Sequence, residues 1–463
     1  MSELSFKRAR VVRSSWLQED GRRLDCNPYM SGALEARDAL RGLAARKDKL
    51  SEVTSGIFHA GREGRLWVDV PEHGVPFLGS SDILAADLSN LPLLSRRQVD
   101  RNHLFVLGAH WTLITRSGTI GRMAYVRPDM AGMACSEHVL RVVPKSECIP
   151  PGYLYAFLSS RYGVPLVVSG TFGSIIQHIE PANIEGLEVP RFPQSKERSI
   201  HDKVERAADL RSRANKALAE VGAEFDGLFP DIDLRRPPEL SVSSIWASEA
   251  QARIDGHFHN PRAVQIRHAL RNTSHASLGE WCDSAFLPGI FKRIHVDGPD
   301  HAAPYYTGYS LYWNEPEPKG YLSKATKLFE QVRLKEGMIL IQAFGQEGGL
   351  TGRPVWVGRH LDGSTTTHML VRLIVHDRER AGYLFGFLSS LLAYRQIACL
   401  TYGGSIPHFD VAGIKTVLVP RMSAEREAKI GRKVLEAMSY RDEALQLELD
   451  ARSDVESLID EVN

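Results

Sequence analysis

The side chains that could do covalent chemistry in this sequence are few, and most stand in patterns that stop short of a site. Asp300, followed by Glu317-Pro318-Lys319, has the make-up of a metal-dependent nuclease, in which paired acids hold Mg²⁺ and a lysine steadies the attacking water. Pro318 argues against it, because the strand that presents the last two groups is normally hydrogen-bonded on both sides. Asn27-Pro28-Tyr29 is one proline short of the Asn-Pro-Pro-Tyr element that holds the target amino group in adenine methyltransferases, and no Gly-rich strand-turn-helix for a methyl donor accompanies it. His257 and His259 could ligate a metal, but no third ligand stands near them. No phosphate-cradling loop ending in Gly-Lys-Ser/Thr is present, which speaks against ATP hydrolysis. Cys26, Cys135, Cys148, Cys282 and Cys399 are odd in number and never form Cys-x-x-Cys, so neither a disulfide framework nor a thiolate zinc site is suggested. The expectation is a chain without catalytic residues, metal or cofactor of its own. A nuclease using Asp300, Glu317 and Lys319 is the rival from a different class.

Composition sets the frame for those residues. At 463 residues, 43% hydrophobic and 24% charged, the chain is an ordinary soluble one with room for two or three domains. No apolar run approaches the roughly 18 residues of a membrane span, and the first residues lack the apolar stretch of a secretory signal, so a cytoplasmic protein is expected. The formal net charge of +1 gives no global sign of a nucleic-acid binder; such a function would need local patches.

The elements that must position any site are organised by a repeat. At an offset of 230, Gly152-Tyr153-Leu154-Tyr155-Ala156-Phe157-Leu158-Ser159-Ser160 recurs as Gly382-Tyr383-Leu384-Phe385-Gly386-Phe387-Leu388-Ser389-Ser390, and Val189-Pro190-Arg191 as Val419-Pro420-Arg421. The same shift carries Trp16 onto Trp246, Arg23-Leu24-Asp25 onto Arg253-Ile254-Asp255, His138 onto His368 and His178 onto His408. Gaps are needed only between about 50 and 130. A period of half the chain means two large equivalent domains. The expected division is 1–194 and 230–422 for the domains, with helices at 195–229 and 423–463. Within each copy a first helix (30–50 and 260–272) precedes short strands, among them 104–107, 112–115, 123–126 and 138–143; a helix (151–161 and 381–394) and a final strand follow.

The last segment of each copy differs. Ile200, Val204, Ala207, Leu210, Ala214, Val221 and Phe225 are spaced by fours and threes, as are Ile430, Val434, Ala437, Ala444, Val455 and Leu458. These predict helices of about 33 and 39 residues, roughly 50 to 58 Å long at about 1.5 Å per residue. So narrow an apolar seam seeks another helix, and the expected partner is the other copy. The alternative is that each helix packs back on its own domain. The fold class is therefore α+β: two tandem mixed α/β domains, each followed by a long helix, the helices pairing as an antiparallel coiled coil.

This organisation resembles the specificity subunit of type I restriction-modification enzymes. The resemblance is carried by 113–122 with Ser136-Glu137-His138 after it, by 170–190, by the second copy's 402–409 and 414–420, and by Arg23-Leu24-Asp25 and Arg253-Ile254-Asp255, which look like the opening of the family's target-recognition domains. It covers nearly the whole chain. It implies a non-catalytic subunit in which each target-recognition domain reads a short half-site of double-stranded DNA while the helical spacer sets the unread gap, giving an asymmetric bipartite site. It also implies two DNA methyltransferase subunits on the helical rod and domain flanks, which would carry S-adenosylmethionine, and in some systems a restriction or translocase subunit. A modification-based antiphage defence complex that is not strictly type I could use the same reader.

Local charge is consistent with this. Residues 92–128 hold Arg96, Arg97, Arg101, Arg116, Arg122 and Arg127 against Asp100 alone, and 322–358 hold five cations, Arg353 among them, against three acids. Such windows suit phosphate contacts as well as an ordinary solvated face. Arg116-Ser117-Gly118-Thr119 lies in a Gly-bounded loop, where the guanidinium could reach a guanine edge or a phosphate. The second copy has Gln342, Phe344 and Gln346 there, and glutamines are competent to read adenine, so the halves should differ in preference. Thr171, Phe172 and Ser174, like Thr401, Tyr402 and Ser405, offer hydroxyls and a ring to DNA, or serve as turn packing. His178 and His408 are equally open to a structural or a DNA-facing role.

Overall fold

The computed structural model describes residues 11–18, 27–169, 178–235, 242, 244–248, 250 and 253–461. The chain forms two compact units, Met1–Ser212 with Glu443–Asn463, and Arg213–Asp442. Each unit has its own core. In the first, Tyr153, Leu154, Phe157 and Val189 pack with Ile114, Leu140 and Val142; in the second, Tyr383, Leu384, Phe387 and Val419 pack with Ile341, Val371 and Leu373.

Both units are built on one plan. The first unit's antiparallel sheet has the order Thr54–Phe58, Val139–Pro144, Thr112–Thr115, Met123–Tyr125; the second unit's has Ser284–Phe286, Leu370–Ile374, Ile339–Gln342, Pro354–Trp356. The central strands are short β-branched and leucine runs buried along nearly their whole length, which is why their pattern reads as continuous rather than alternating. A second sheet follows in each unit: Trp67–Val68, Leu93–Ser95, Gly74–Leu78 and Ala134–Cys135, and correspondingly His295–Val296, Pro318–Ser323, Ala302–Tyr306 and Thr365–Thr366. Its last pair is parallel in both. A two-stranded sheet, Lys47–Lys49 with Glu188–Pro190 or His275–Ser277 with Leu418–Pro420, leads into each long helix. The turn into the helix is held by Arg191 Nε on Glu197 Oε1 at 2.9 Å and by Arg421 Nε on Glu427 Oε1 at 2.7 Å.

Two sequence expectations are corrected. Residues 104–107 do not form a strand: Asn102 accepts a hydrogen bond from Leu104 N, and His103–Phe105 closes into a 3₁₀ turn. The helix expected over 381–394 is two, Arg378–Leu388 and Leu391–Ala398, because Ser390 breaks off to cap the second by accepting from Ala393 N.

The long helices are Gln194–Asp226 and Ala424–Asp460. They pair antiparallel within each unit. In the first, Lys203 Nζ meets Asp454 Oδ2 at 2.6 Å and Arg211 Nη2 meets Glu448 Oε2 at 2.7 Å. In the second, Lys433 Nζ meets Glu220 Oε2 at 2.6 Å and Arg426 Nε meets Glu224 Oε1 at 2.7 Å. Ile200, Val204, Ala207, Val221, Phe225, Ile430, Val434, Ala437 and Val455 are buried, and Leu458 is half-buried. The seam is wider than a helix-to-helix contact: Ile200 and Val204 share a core with Tyr153 and Leu154 as well as with Val455, and Phe225 lies edge-on to Tyr383 at 5.2 Å. Pairing and packing back on the domain, posed as alternatives, both occur. In the second unit a Cβ on Gly431 would stand 2.1 Å from Glu379 O, so the helix Arg378–Leu388 meets the long helix backbone to backbone. No helix among the described residues is long and apolar enough to cross a membrane.

Candidate nucleic-acid interface

In each unit three loops are stitched together at one end of the first sheet. Residue 116 leaves the strand Thr112–Thr115 and donates its N–H to His138 O, and its own carbonyl accepts from Ile179 N. In the second unit Ala343 N donates to Met369 O, and Ala343 O accepts from Phe409 N. This register makes His178 equivalent to His408, as the repeat suggested, and sets Ser117 opposite Phe344. It also corrects the repeat: His138 corresponds to Met369, not His368, and Glu137 takes the place of His368. The offset is 231 along the strand Val139–Pro144 and returns to 230 only at the helix after it, so a one-residue difference in the loop between them is invisible at a fixed offset.

The first unit fills this face with charges. Arg116 is only 8% exposed and points inward: Nε donates to Ile179 O at 3.1 Å, Nη1 to Glu137 O at 3.3 Å, and Nη2 pairs with Glu180. It ties the three loops together instead of standing open to a partner. Ser117 Oγ lies 2.7 Å from His138 Nδ1. Burial and the cations Arg65, Arg116 and Arg62 hold that imidazole below its ordinary value, against the opposing pull of Glu137. Glu137 itself, despite burial, is held below the usual carboxylate range by the Arg65 guanidinium. Thr119 is exposed, and Arg122 is half-buried with partners of its own. His178 is half-buried, and its Nδ1 has no partner. Thr171, Phe172 and Ser174 lie outside the described residues.

The second unit fills the same face with rings. Phe344 stacks on His408 at 5.1 Å with 6° between planes, Tyr402 tilts against His408 at 4.5 Å, and His368 meets Phe344 at 6.3 Å. Tyr402 is 42% exposed and donates from its hydroxyl to Asp410 Oδ2 at 3.2 Å. Gln342 folds its amide back to donate to Phe344 O at 2.8 Å, leaving its carbonyl oxygen buried without a partner. Gln346 and Ser405 are exposed. Thr401 is buried, donating to Ala398 O and lying 2.9 Å from His257 Nε2. Arg353 sits 3.9 Å over the Tyr394 ring.

Away from the loops, Arg96 and Arg97 are exposed on the short helix Arg96–Arg101, with Arg96 Nη2 donating to Gly74 O at 2.9 Å. Arg127, counted with them in the basic window, is buried on Asp129.

The enzyme-like patterns come apart. Asp300 lies beyond Ala302, which pairs with Ser323, whereas Lys319 is at the other end of the strand Pro318–Ser323. That places the lysine about 13 Å further along at about 3.3 Å per residue. His257 Nε2 is 2.9 Å from Ala398 O and His259 Nε2 is 2.6 Å from Arg253 O, so both rings are used by the backbone. Among the described residues no group of three or more His, Cys, Asp or Glu could hold a metal ion.

Sequence reasoning missed Arg141 and Arg372. Both are fully buried on the central strand of the first sheet, where they donate to the carbonyls of the loop that precedes it: Arg141 Nη1 to Ser136 O at 2.8 Å and Arg372 Nη2 to Thr367 O at 2.9 Å. An arginine inside an apolar run was the available signal.

No protein-family model matches the chain, and no curated protein matches it by sequence. Among solved structures, the S subunit of a type I restriction-modification system from M. genitalium matches at 13% identity and a TM-score of 0.31, over 91% of this chain and 95% of that one. The HsdS subunit from Thermoanaerobacter tengcongensis matches at 14% identity and a TM-score of 0.28, over 90% and 96%. A chain from a structural study of type I restriction-modification complex assembly and conformational transition matches at 12% and 0.26, over 90% and 96%. The likeness is loose at these identities and TM-scores. Along about nine-tenths of its length the chain is thus similar to S subunits of type I restriction-modification systems.

Proposed function

We propose that this chain is a DNA sequence-specificity subunit. Each unit reads one half of a bipartite double-stranded site, and the whole directs two adenine methyltransferase subunits to it, joined by a restriction subunit in systems that cleave. The methyl donor, S-adenosylmethionine, belongs to those partners; this chain makes no bond. The observation that carries the reading is one loop scaffold built twice, with the same backbone hydrogen bonds, and lined with different side chains: Arg116, Ser117, Glu137 and His138 in one unit, Phe344, His368, Tyr402 and His408 in the other. A repeated frame with unlike contents suits two readers of unlike sequence, since base edges are told apart by the donors, acceptors and apolar groups set against them. Exposed Thr119, Gln346, Ser405 and Tyr402 supply such groups at the loops, and exposed Arg96 and Arg97 supply charge for phosphates.

The test is selection of duplex DNA from a random pool by the purified full chain. Two fixed sequence blocks separated by a constant gap are expected. Recovery of a single uninterrupted block, or of none, overturns the proposal. The same preparation with Mg²⁺ should leave plasmid intact; cleavage abolished by Lys319→Ala would restore the nuclease reading.

A further inference from the structure

Strand register brings together four residues that none of the sequence patterns joined. Phe77 pairs with Ala134 as Tyr305 pairs with Thr365, and Trp67 pairs with Leu94 as His295 pairs with Leu322. Arg65 and Arg293, each two residues before the edge strand of the second sheet, are therefore equivalent, as are Glu137 and His368. Each arginine lies over the equivalent ring, Arg65 4.9 Å from Phe77 and Arg293 5.6 Å from Tyr305.

Their partners differ. Arg65 Nη2 is spent on Glu137 Oε2 at 2.8 Å and Ser136 Oγ at 3.3 Å. In the second unit the carboxylate is replaced by His368, whose ring meets Phe291 at 6.2 Å and whose Nδ1 is buried without a partner. Burial, with Arg293 and Arg372 nearby, holds its imidazole below the ordinary value, so it brings no charge at neutral pH. Arg293 is exposed, rests on Phe291 and Tyr305, and has no carboxylate partner among the described residues.

We infer that Arg293 is a base-reading residue of the second unit, offering its unspent N–H edge to the paired acceptors of a guanine, and that His368 in place of a glutamate is what keeps it available. A guanidinium braced on ring faces has its donor edge left over, and that edge matches guanine O6 and N7. In the first unit the Glu137 carboxylate takes Nη2 of Arg65, so the paired donors that would read a guanine are not both free there. The inference rests on the reading of the chain as a two-part DNA reader.

The closing experiment repeats the duplex selection with variants. The wild type reports on the function alone: without a two-block site the general proposal fails. Given that site, Arg293→Ala should relax one guanine position in one block by roughly five- to hundredfold. His368→Glu, which rebuilds the ion pair of the first unit, should do the same, whereas His368→Gln should keep the preference. Glu137→His should add a guanine preference to the other block. Arg293 is exposed, so its removal empties no core. Uniform weakening across all sequences would mean a phosphate contact, and an unchanged motif in Arg293→Ala would mean no contact; either result overturns the inference.

Discussion

Arg141 and Arg372 do at the residue scale what an apolar side chain cannot. Each stands where the chain passes from the second sheet to the first, and its guanidinium gathers carbonyls of the loop that joins them. Arg116 does related work at the surface of the first unit, gathering Ile179 O, Glu137 O and the Glu180 carboxylate. It follows that Arg116→Ala should lower the unfolding free energy by about 1–3 kcal/mol in a denaturant titration, since it removes charge-assisted hydrogen bonds from a buried group. Unchanged stability together with a relaxed base preference would instead place Arg116 on DNA. The loop holding Arg116 was legible from its glycines and the strand before it. The direction of the side chain was not, because its acceptors come from residues 137, 179 and 180, and nothing local announces their approach.

At the scale of elements, the long helices were the most legible feature. Their apolar spacing marked the residues that are buried, and their opposed direction shows in ion pairs whose numbers rise on one helix and fall on the other. Arg211 and Glu448 are the buried pair among these, with side chains 3% and 10% exposed. Removing one partner strands the other, so Arg211→Met should cost about 3–5 kcal/mol, and adding Glu448→Leu should recover most of it. Losses that simply add in the double variant would show that the two do not interact. The second sheet, by contrast, could not be seen in the sequence. Its strands run two to six residues, too short for a period to register, and they lie where insertions break the offset between copies. That same loss of register hid the equivalence of Arg65 with Arg293 and moved His368 opposite Glu137.

On the scale of the whole molecule, duplication is the organising fact, and it is legible in the sequence itself, where the segment Gly152–Ser160 returns as Gly382–Ser390. The units share strand order and the stitching of their loops, while the lining of the loops has diverged to charges in one and rings in the other. The proposed function gives the two long helices, Gln194–Asp226 and Ala424–Asp460, a metrical task. Deleting seven residues from both helices shortens each by roughly 10 Å, about three base pairs at about 3.4 Å each. The gap in the selected site should change by that amount with both blocks intact; altered blocks with an unaltered gap would contradict the helical spacer.

The most direct measurement is a genome-wide map of methylated bases in cells with and without this chain, its neighbouring subunits held constant. A new asymmetric motif of two blocks with a fixed gap, present only with the chain, is the predicted result. The same methylation pattern in both cells, or a single continuous motif, would contradict a two-part reader that lends its specificity to other subunits.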